Sequence, residues 1–172
     1  QIPELYTAAE LESLRKTAYY HEKGCVFNLS PDYASTIRVG LDARRAELEA
    51  RLARADAEKD AAAQEFAACA IRCVDAVLGL ADRYRAEAER QGLAQIAQTL
   101  GRVPHRGAAT FHEALQFLRI LHYTLWCEGE YHNGLGRVDQ YLYPYFAADL
   151  AAGRLTEEAA LELIEEFFLS CN

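Results

Sequence analysis

The run F-H-E-A-L-Q-F-L-R-I-L-H-Y-T-L-W-C, from Phe111 to Cys127, constrains the fold more than any other part of the chain. Its apolar residues surround most of a helical circumference instead of forming one stripe, and such a helix has to be enclosed by protein on several sides. Thr110 followed three residues later by Glu113 marks its start, the capping box in which two side chains satisfy orphan backbone donors. The run contains Arg119 and His122 and is too short and too polar to span a bilayer, which takes about 20 apolar residues. The chain must therefore build a helical core around it.

The flanking sequence supplies the partners. Ile37, Leu41, Leu48 and Leu52 recur at helical intervals among Arg, Glu and Ala, which predicts a helix from about Asp32 to Ala62. A second pattern, Phe66, Ala70, Cys73, Val77, Leu80, Ala81 and Tyr84, runs on to Gly92, a C-cap signal; the two are one bent helix or two. The stretch G-R-V-P-H-R-G from Gly101 to Gly107 predicts an ordered loop. After Cys127, E-G-E-Y-H-N-G-L-G-R predicts another. Pro144 suits the first turn of a short helix ending near Gly153. Thr156 caps a last helix with Leu161, Ile164, Phe167 and Phe168 on its buried side. No strand pattern is present. The expected fold class is all-α, residues 1–172 forming a single helical segment in which the loop near 101–109 separates two helical halves.

Charge narrows the partners. Lys plus Arg number 18 against 26 Asp plus Glu, a net charge of -8 that repels phosphate backbones and anionic lipid, so no nucleic acid and no membrane partner is expected. The N-terminus lacks a basic-then-apolar leader, from which a cytoplasmic location is expected. Cys25, Cys69, Cys73, Cys127 and Cys171 are odd in number and scattered, which suits reduced thiols. Cys69 and Cys73 are four apart, and His122 and Cys127 five apart; neither spacing is the paired one of a tetrahedral site, so no metal site is expected.

The polar residues concentrate in one region. G-R-V-D-Q-Y-L-Y-P, from Gly136 to Pro144, packs Arg, Asp, Gln and Tyr too densely for ordinary surface. Arg137 and Asp139, two apart, cannot face each other on a helix but can brace a turn, and Gln140 can bridge nearby backbone; a buried ion pair pinning the loop is expected. Tyr141, Tyr143 and Tyr145 suit core aromatics with satisfied hydroxyls. Just before them, Glu128, Glu130, Tyr131, His132 and Asn133 gather acceptors, an imidazole and a phenol in six residues, as a polar pocket requires and as a solvated loop also permits.

The block from Gly136 to Pro144 resembles the G-R-[FVM]-D-Q-Y-L-Y-P block of glycyl radical enzymes, the pyruvate formate-lyase family. The likeness extends to A-T-F-H-E-A-L-Q at Ala109 to Gln116 and G-R-L-T-E-E-A-A-L-E-L-I-E at Gly153 to Glu165, and more loosely to S-P-D-Y at Ser30 to Tyr33 and A-D-R-Y at Ala81 to Tyr84. It implies that the chain is the helical part of a ten-stranded α/β-barrel enzyme, of formate acetyltransferase or lyase type. In such an enzyme a cysteine radical cleaves carbon–carbon or carbon–heteroatom bonds of a small-molecule substrate. The family's radical glycine lies in R-V-[ST]-G-[YF] and its cysteine often in C-x-E; neither occurs here, and Arg38-Val39-Gly40 lacks the hydroxyl and aromatic residues. No catalytic residue is therefore assigned, and the chain alone is expected to be inactive.

Family members carry N-G-H-S-x-S-x-G-R along the pocket, and counting back from Arg137 puts Tyr131 and His132 where the His and Ser stand. That departure argues against a glycerol- or diol-type pocket. In the family's G-H-x-x-P-D-Y motif Asn28 replaces the His, which keeps hydrogen bonding and loses a proton carrier. The resemblance thus implies Asn28, Tyr131, His132 and Asn133 as substrate-binding residues. It also implies a glycyl radical in the intact enzyme, with no cofactor bound by this segment. A separate S-adenosylmethionine-dependent activating enzyme is the implied partner, and a homo-oligomer is compatible with it. The competing expectation is a helical scaffold that kept family sequence after losing catalysis.

Overall fold

The computed structural model describes residues 7–16, 29–127 and 132–171, and among them the secondary structure is helical apart from one isolated β-bridge. Helix α1 (Ala8–Lys16) starts at a capping box that the sequence reading missed: the Glu10 amide donates to Thr7 Oγ1 at 3.3 Å, and the Thr7 amide to Glu10 Oε2 at 2.8 Å. Helices α2 (Tyr33–Val39) and α3 (Leu41–Glu58) replace the single helix expected over 32–62. The break is Gly40, at φ 90°, where an added Cβ would lie 2.4 Å from the His105 carbonyl oxygen; another chain segment occupies that space. Lys59, left-handed at φ 57°, ends α3, and Asp60 starts α4 (Ala61–Arg90) by accepting from the Ala63 amide at 3.0 Å.

Helices α3 and α4 form a long hairpin tied by Arg45, whose Nε donates to Asp75 at 2.7 Å. Helix α4 closes as expected at Gly92, where φ is 72° and the next amide, of Leu93, donates to the Ala88 carbonyl at 2.8 Å. A short helix the sequence reading did not anticipate, α5 (Ala94–Leu100), then folds back on α4. The 101–110 segment leads into α6 (Phe111–Cys127), followed by α7 (Val138–Ala151) and α8 (Glu157–Ser170).

Helix α6 is the hub: it packs against α2, α4, α7 and α8. Phe111, Ala114, Leu115, Phe117 and Leu118 are buried with Tyr33, Ile37, Leu41, Leu78, Val103, Leu142, Ala160 and Phe167. Each fully buried large side chain contributes about 1.5–3 kcal/mol, so the first half of α6 organises the core. Its second half is less enclosed, and Trp126 is exposed. The capping box is present with one change: Thr110 Oγ1 accepts from the Glu113 amide at 3.2 Å, but the Glu113 carboxylate returns to Ala109 N at 2.7 Å.

Two expectations are corrected near the C-terminal end. Pro144 lies inside α7, not in its first turn, because Val138 and Asp139 already begin the helix. On α8 the N-cap is Thr156, accepting from Ala159 N at 3.2 Å, as expected. Phe167 is buried, but Leu161 and Phe168 are exposed, because α8 packs chiefly against α6 and buries only the face that carries Ala160 and Phe167.

Candidate functional site

The α6–α7 connection holds the polar residues, and its described part, 132–137, is fastened from three sides. First, Leu29 N donates to the His132 carbonyl at 3.2 Å and Gly134 N to the Leu29 carbonyl at 2.8 Å, a parallel bridge between Leu29 and Asn133. Gly136, at φ 64°, passes so close to the same stretch that a Cβ there would sit 3.0 Å from Ser30 Oγ.

Second, Tyr141 Oη donates to the Leu135 carbonyl at 2.8 Å. Its ring centroid is 6.4 Å from that of Tyr33, which is 2% exposed and has a hydroxyl without a hydrogen-bond partner among the described residues. Burial pushes the Tyr33 phenol up to about 12, with the Cys171 thiol adding to the effect, and raises Tyr141 as well. Both phenols therefore stay neutral, and Tyr141 acts as a donor.

Third, His122 of α6 hydrogen-bonds the Asn133 backbone. Burial, then the Arg119 guanidinium, pull its imidazole below the ordinary histidine range, and the Asn133 bond opposes them. The imidazole is thus neutral near pH 7, with Cys171 Sγ 3.9 Å from its Nδ1. Neither His122 nor the Tyr141 hydroxyl was singled out as a loop support. The one available signal was a His inside an otherwise apolar helical run.

Of the expected site residues, Asn28 and Tyr131 lie outside the described residues. His132 is exposed and Asn133 half-buried. The bridge through Leu29 brings the S-P-D-Y stretch and the loop before G-R-V-D-Q-Y-L-Y-P together, 103 residues apart from Leu29 to His132. Arg137 and Asp139 do pair, Nε to Oδ1 at 3.0 Å and Nη2 to Oδ2 at 2.7 Å, but the pair is solvent-exposed at 69% and 62% in place of the buried pair expected. Val138 begins α7 at this point, so both side chains leave the first turn toward solvent. Gln140 is exposed, and its backbone amide donates to the Arg137 carbonyl at 2.9 Å.

Apolar grooves lie elsewhere. One of ≈ 290 Å³ runs between α4, α5 and α6, lined by Tyr84, Ile96, Ile120 and Tyr123, and one of ≈ 270 Å³ runs between α6, α7 and α8. Among the described residues no three His, Cys, Asp or Glu side chains converge as metal ligands, and no helix is long and apolar enough to cross a membrane.

Residues 7–172 match the family described as PFL-like, pyruvate formate lyase-like. The chain belongs to this family of glycyl radical enzymes. It is 32% identical to a (2S)-3-sulfopropanediol dehydratase of Klebsiella oxytoca over 94% of this chain and 21% of that protein. It is 31% identical to a trans-4-hydroxy-L-proline dehydratase of Clostridioides difficile over 73% of this chain and 18% of the relative. The glycerol-bound B12-independent glycerol dehydratase of Clostridium butyricum superposes with a TM-score of 0.73 at 25% identity, over 95% of this chain and 23% of that one. The family member thus spans about a fifth of the length of these relatives. It is a helical segment of the glycyl radical enzyme fold. The relatives named here are dehydratases, so the enzyme class stands while the finer formate acetyltransferase expectation gains no support.

Proposed function

We propose that this chain is part of a glycyl radical enzyme of the dehydratase and lyase type, to which it contributes helical wall and one pocket-facing loop. Asn28, Tyr131, His132 and Asn133 contact a small substrate, and Arg137, Asp139 and Gln140 shape the turn that presents them. The observation that carries the reading is the pairing of Leu29 with His132 and Gly134, which holds the two stretches that resemble the family's pocket segments against each other. The family match over residues 7–172 supports it.

In the intact enzyme a cysteine thiyl radical takes a hydrogen atom from the substrate, which then breaks a carbon–carbon or carbon–heteroatom bond. This chain's residues bind and orient. Tyr131 and His132 in place of the family's His and Ser point to a pocket of other than glycerol or diol type. The 172-residue chain alone is inert, since it carries neither radical motif, and a radical-installing S-adenosylmethionine enzyme is the partner of the whole protein.

The test is anaerobic activation of the intact gene product followed by electron paramagnetic resonance. A glycyl radical doublet, retained in His132→Ala while turnover falls at least about tenfold, supports the reading. An intact product that never forms the radical refutes the enzyme assignment. Full turnover by His132→Ala removes that residue from the pocket.

A further inference from the structure

We propose that His105 is a pH-dependent staple: as an imidazolium held between Asp42 of α3 and Asp82 of α4, it tightens the 101–110 segment onto the α3–α4 hairpin, and losing its proton loosens that hold. The ring lies between two helices, with Nδ1 3.1 Å from Asp42 Oδ1 and Nε2 3.0 Å from Asp82 Oδ1. An ionised carboxylate only accepts hydrogen bonds, so each ring nitrogen has to donate, and only the doubly protonated imidazole does that. A neutral ring leaves one nitrogen lone pair facing a carboxylate oxygen.

The backbone around the ring is docked by the same neighbours. Asp42 N donates to the His105 carbonyl at 3.0 Å, Leu41 N to the Pro104 carbonyl at 2.8 Å, and Ala108 N to the Ile37 carbonyl at 2.9 Å. The segment thus occupies the break between α2 and α3, where Gly40 and Gly107 leave no room for a side chain. Asp42 therefore grips His105 twice, through its amide and its carboxylate. Beyond the segment lies the N-terminus of α6, whose far end supports the 132–137 loop.

The charges facing the ring are Asp42 from α3 and Asp82 from α4. Nearby cations are engaged elsewhere or solvated: Arg102 donates to the Gly107 carbonyl and pairs with Glu113 at 3.3 Å, Arg85 of α4 pairs with Glu89, and Arg106 is exposed. Burial pulls the imidazole down, but the hydrogen bonds and charges of Asp82 and Asp42 together outweigh it and leave His105 above its ordinary value. A raised folded value gives stabilisation that is full below about pH 6.5, the unfolded value, and lost as pH climbs through the folded one.

The experiment is hydrogen exchange of the intact gene product from about pH 6 to about pH 8.5, read on peptides covering 101–110 and corrected for intrinsic exchange. Protection there falls roughly three- to tenfold across the range in the wild type and stays flat in His105→Gln, which keeps hydrogen bonding without charge. Asp82→Asn moves the fall to lower pH, and that variant carries the test if His105→Gln does not fold. Protection that is independent of pH in the wild type overturns the staple, as does the same fall in His105→Gln or an unmoved profile in Asp82→Asn.

Discussion

The carboxylate of Asp149, in α7, caps a different helix: its Oδ2 accepts from the Phe111 amide at the start of α6, at 2.7 Å. Asp149 is 4% exposed, and its Oδ1 takes both Nε and Nη2 of Arg154 at 2.9 and 2.7 Å. One buried acid thus joins the N-terminus of the central helix to the turn that closes α7. Removing it leaves an amide donor buried and Arg154 unpaired.

Asp149→Ala should therefore destabilise the protein by about 2–4 kcal/mol. Arg154 is itself largely exposed, so Arg154→Ala should cost about 1 kcal/mol or less. Urea unfolding of the two variants checks the ranking; equal small effects would mean that the α6 cap does not depend on Asp149.

Glycine substitutions should separate crowding from backbone strain. At Gly107 a Cβ would lie 2.0 Å from the Arg38 carbonyl oxygen, so Gly107→Ala should cost about 3 kcal/mol or more. Gly92 has φ 72° with nothing within 4 Å, and Gly92→Ala should cost only about 1–2 kcal/mol. Gly79, inside α4 with Arg83 Nη1 3.9 Å away, should gain about 0.5–1 kcal/mol as Ala. Thermal melts of the three variants give the order directly.

The two tyrosines under the loop should respond oppositely to loss of their hydroxyls. Tyr141→Phe removes the bond to Leu135 and should cost about 1 kcal/mol, with faster amide exchange over 132–137. Tyr33→Phe removes a buried hydroxyl without a described partner and should be neutral or stabilising by up to about 1 kcal/mol. A loss at Tyr33 comparable to that at Tyr141 would show that its hydroxyl has a partner.

His122 should give a pH slope opposite to that of His105. Its folded value lies below the ordinary one, through burial first and Arg119 second, so its contribution is present above about pH 6.5 and is lost as pH falls through the folded value. Denaturant midpoints measured from about pH 7 down to about pH 5 should drop less steeply in His122→Gln than in the wild type. Parallel curves would rule out a neutral, half-buried His122.

What the sequence by itself determined is what short-range chemistry encodes. The capping residues Thr110 and Thr156, the Gly92 C-cap and the apolar circumference of α6 all act within a few residues, and each appears at the expected place. The G-R-V-D-Q-Y-L-Y-P block pointed to the family for the same reason, as a local string. Tertiary structure alone decided where remote chain meets. Gly40 looked like an interior residue of one long helix until the 101–110 segment claimed its Cβ space. Asp149 and His105 gave no periodic signal, because their partners lie 38, 63 and 23 residues away. The exposure of the Arg137–Asp139 pair, and of Phe168, depended likewise on which faces the neighbouring helices cover. Helix periodicity states that a face is apolar; only packing against α6 selects which part of that face loses contact with water.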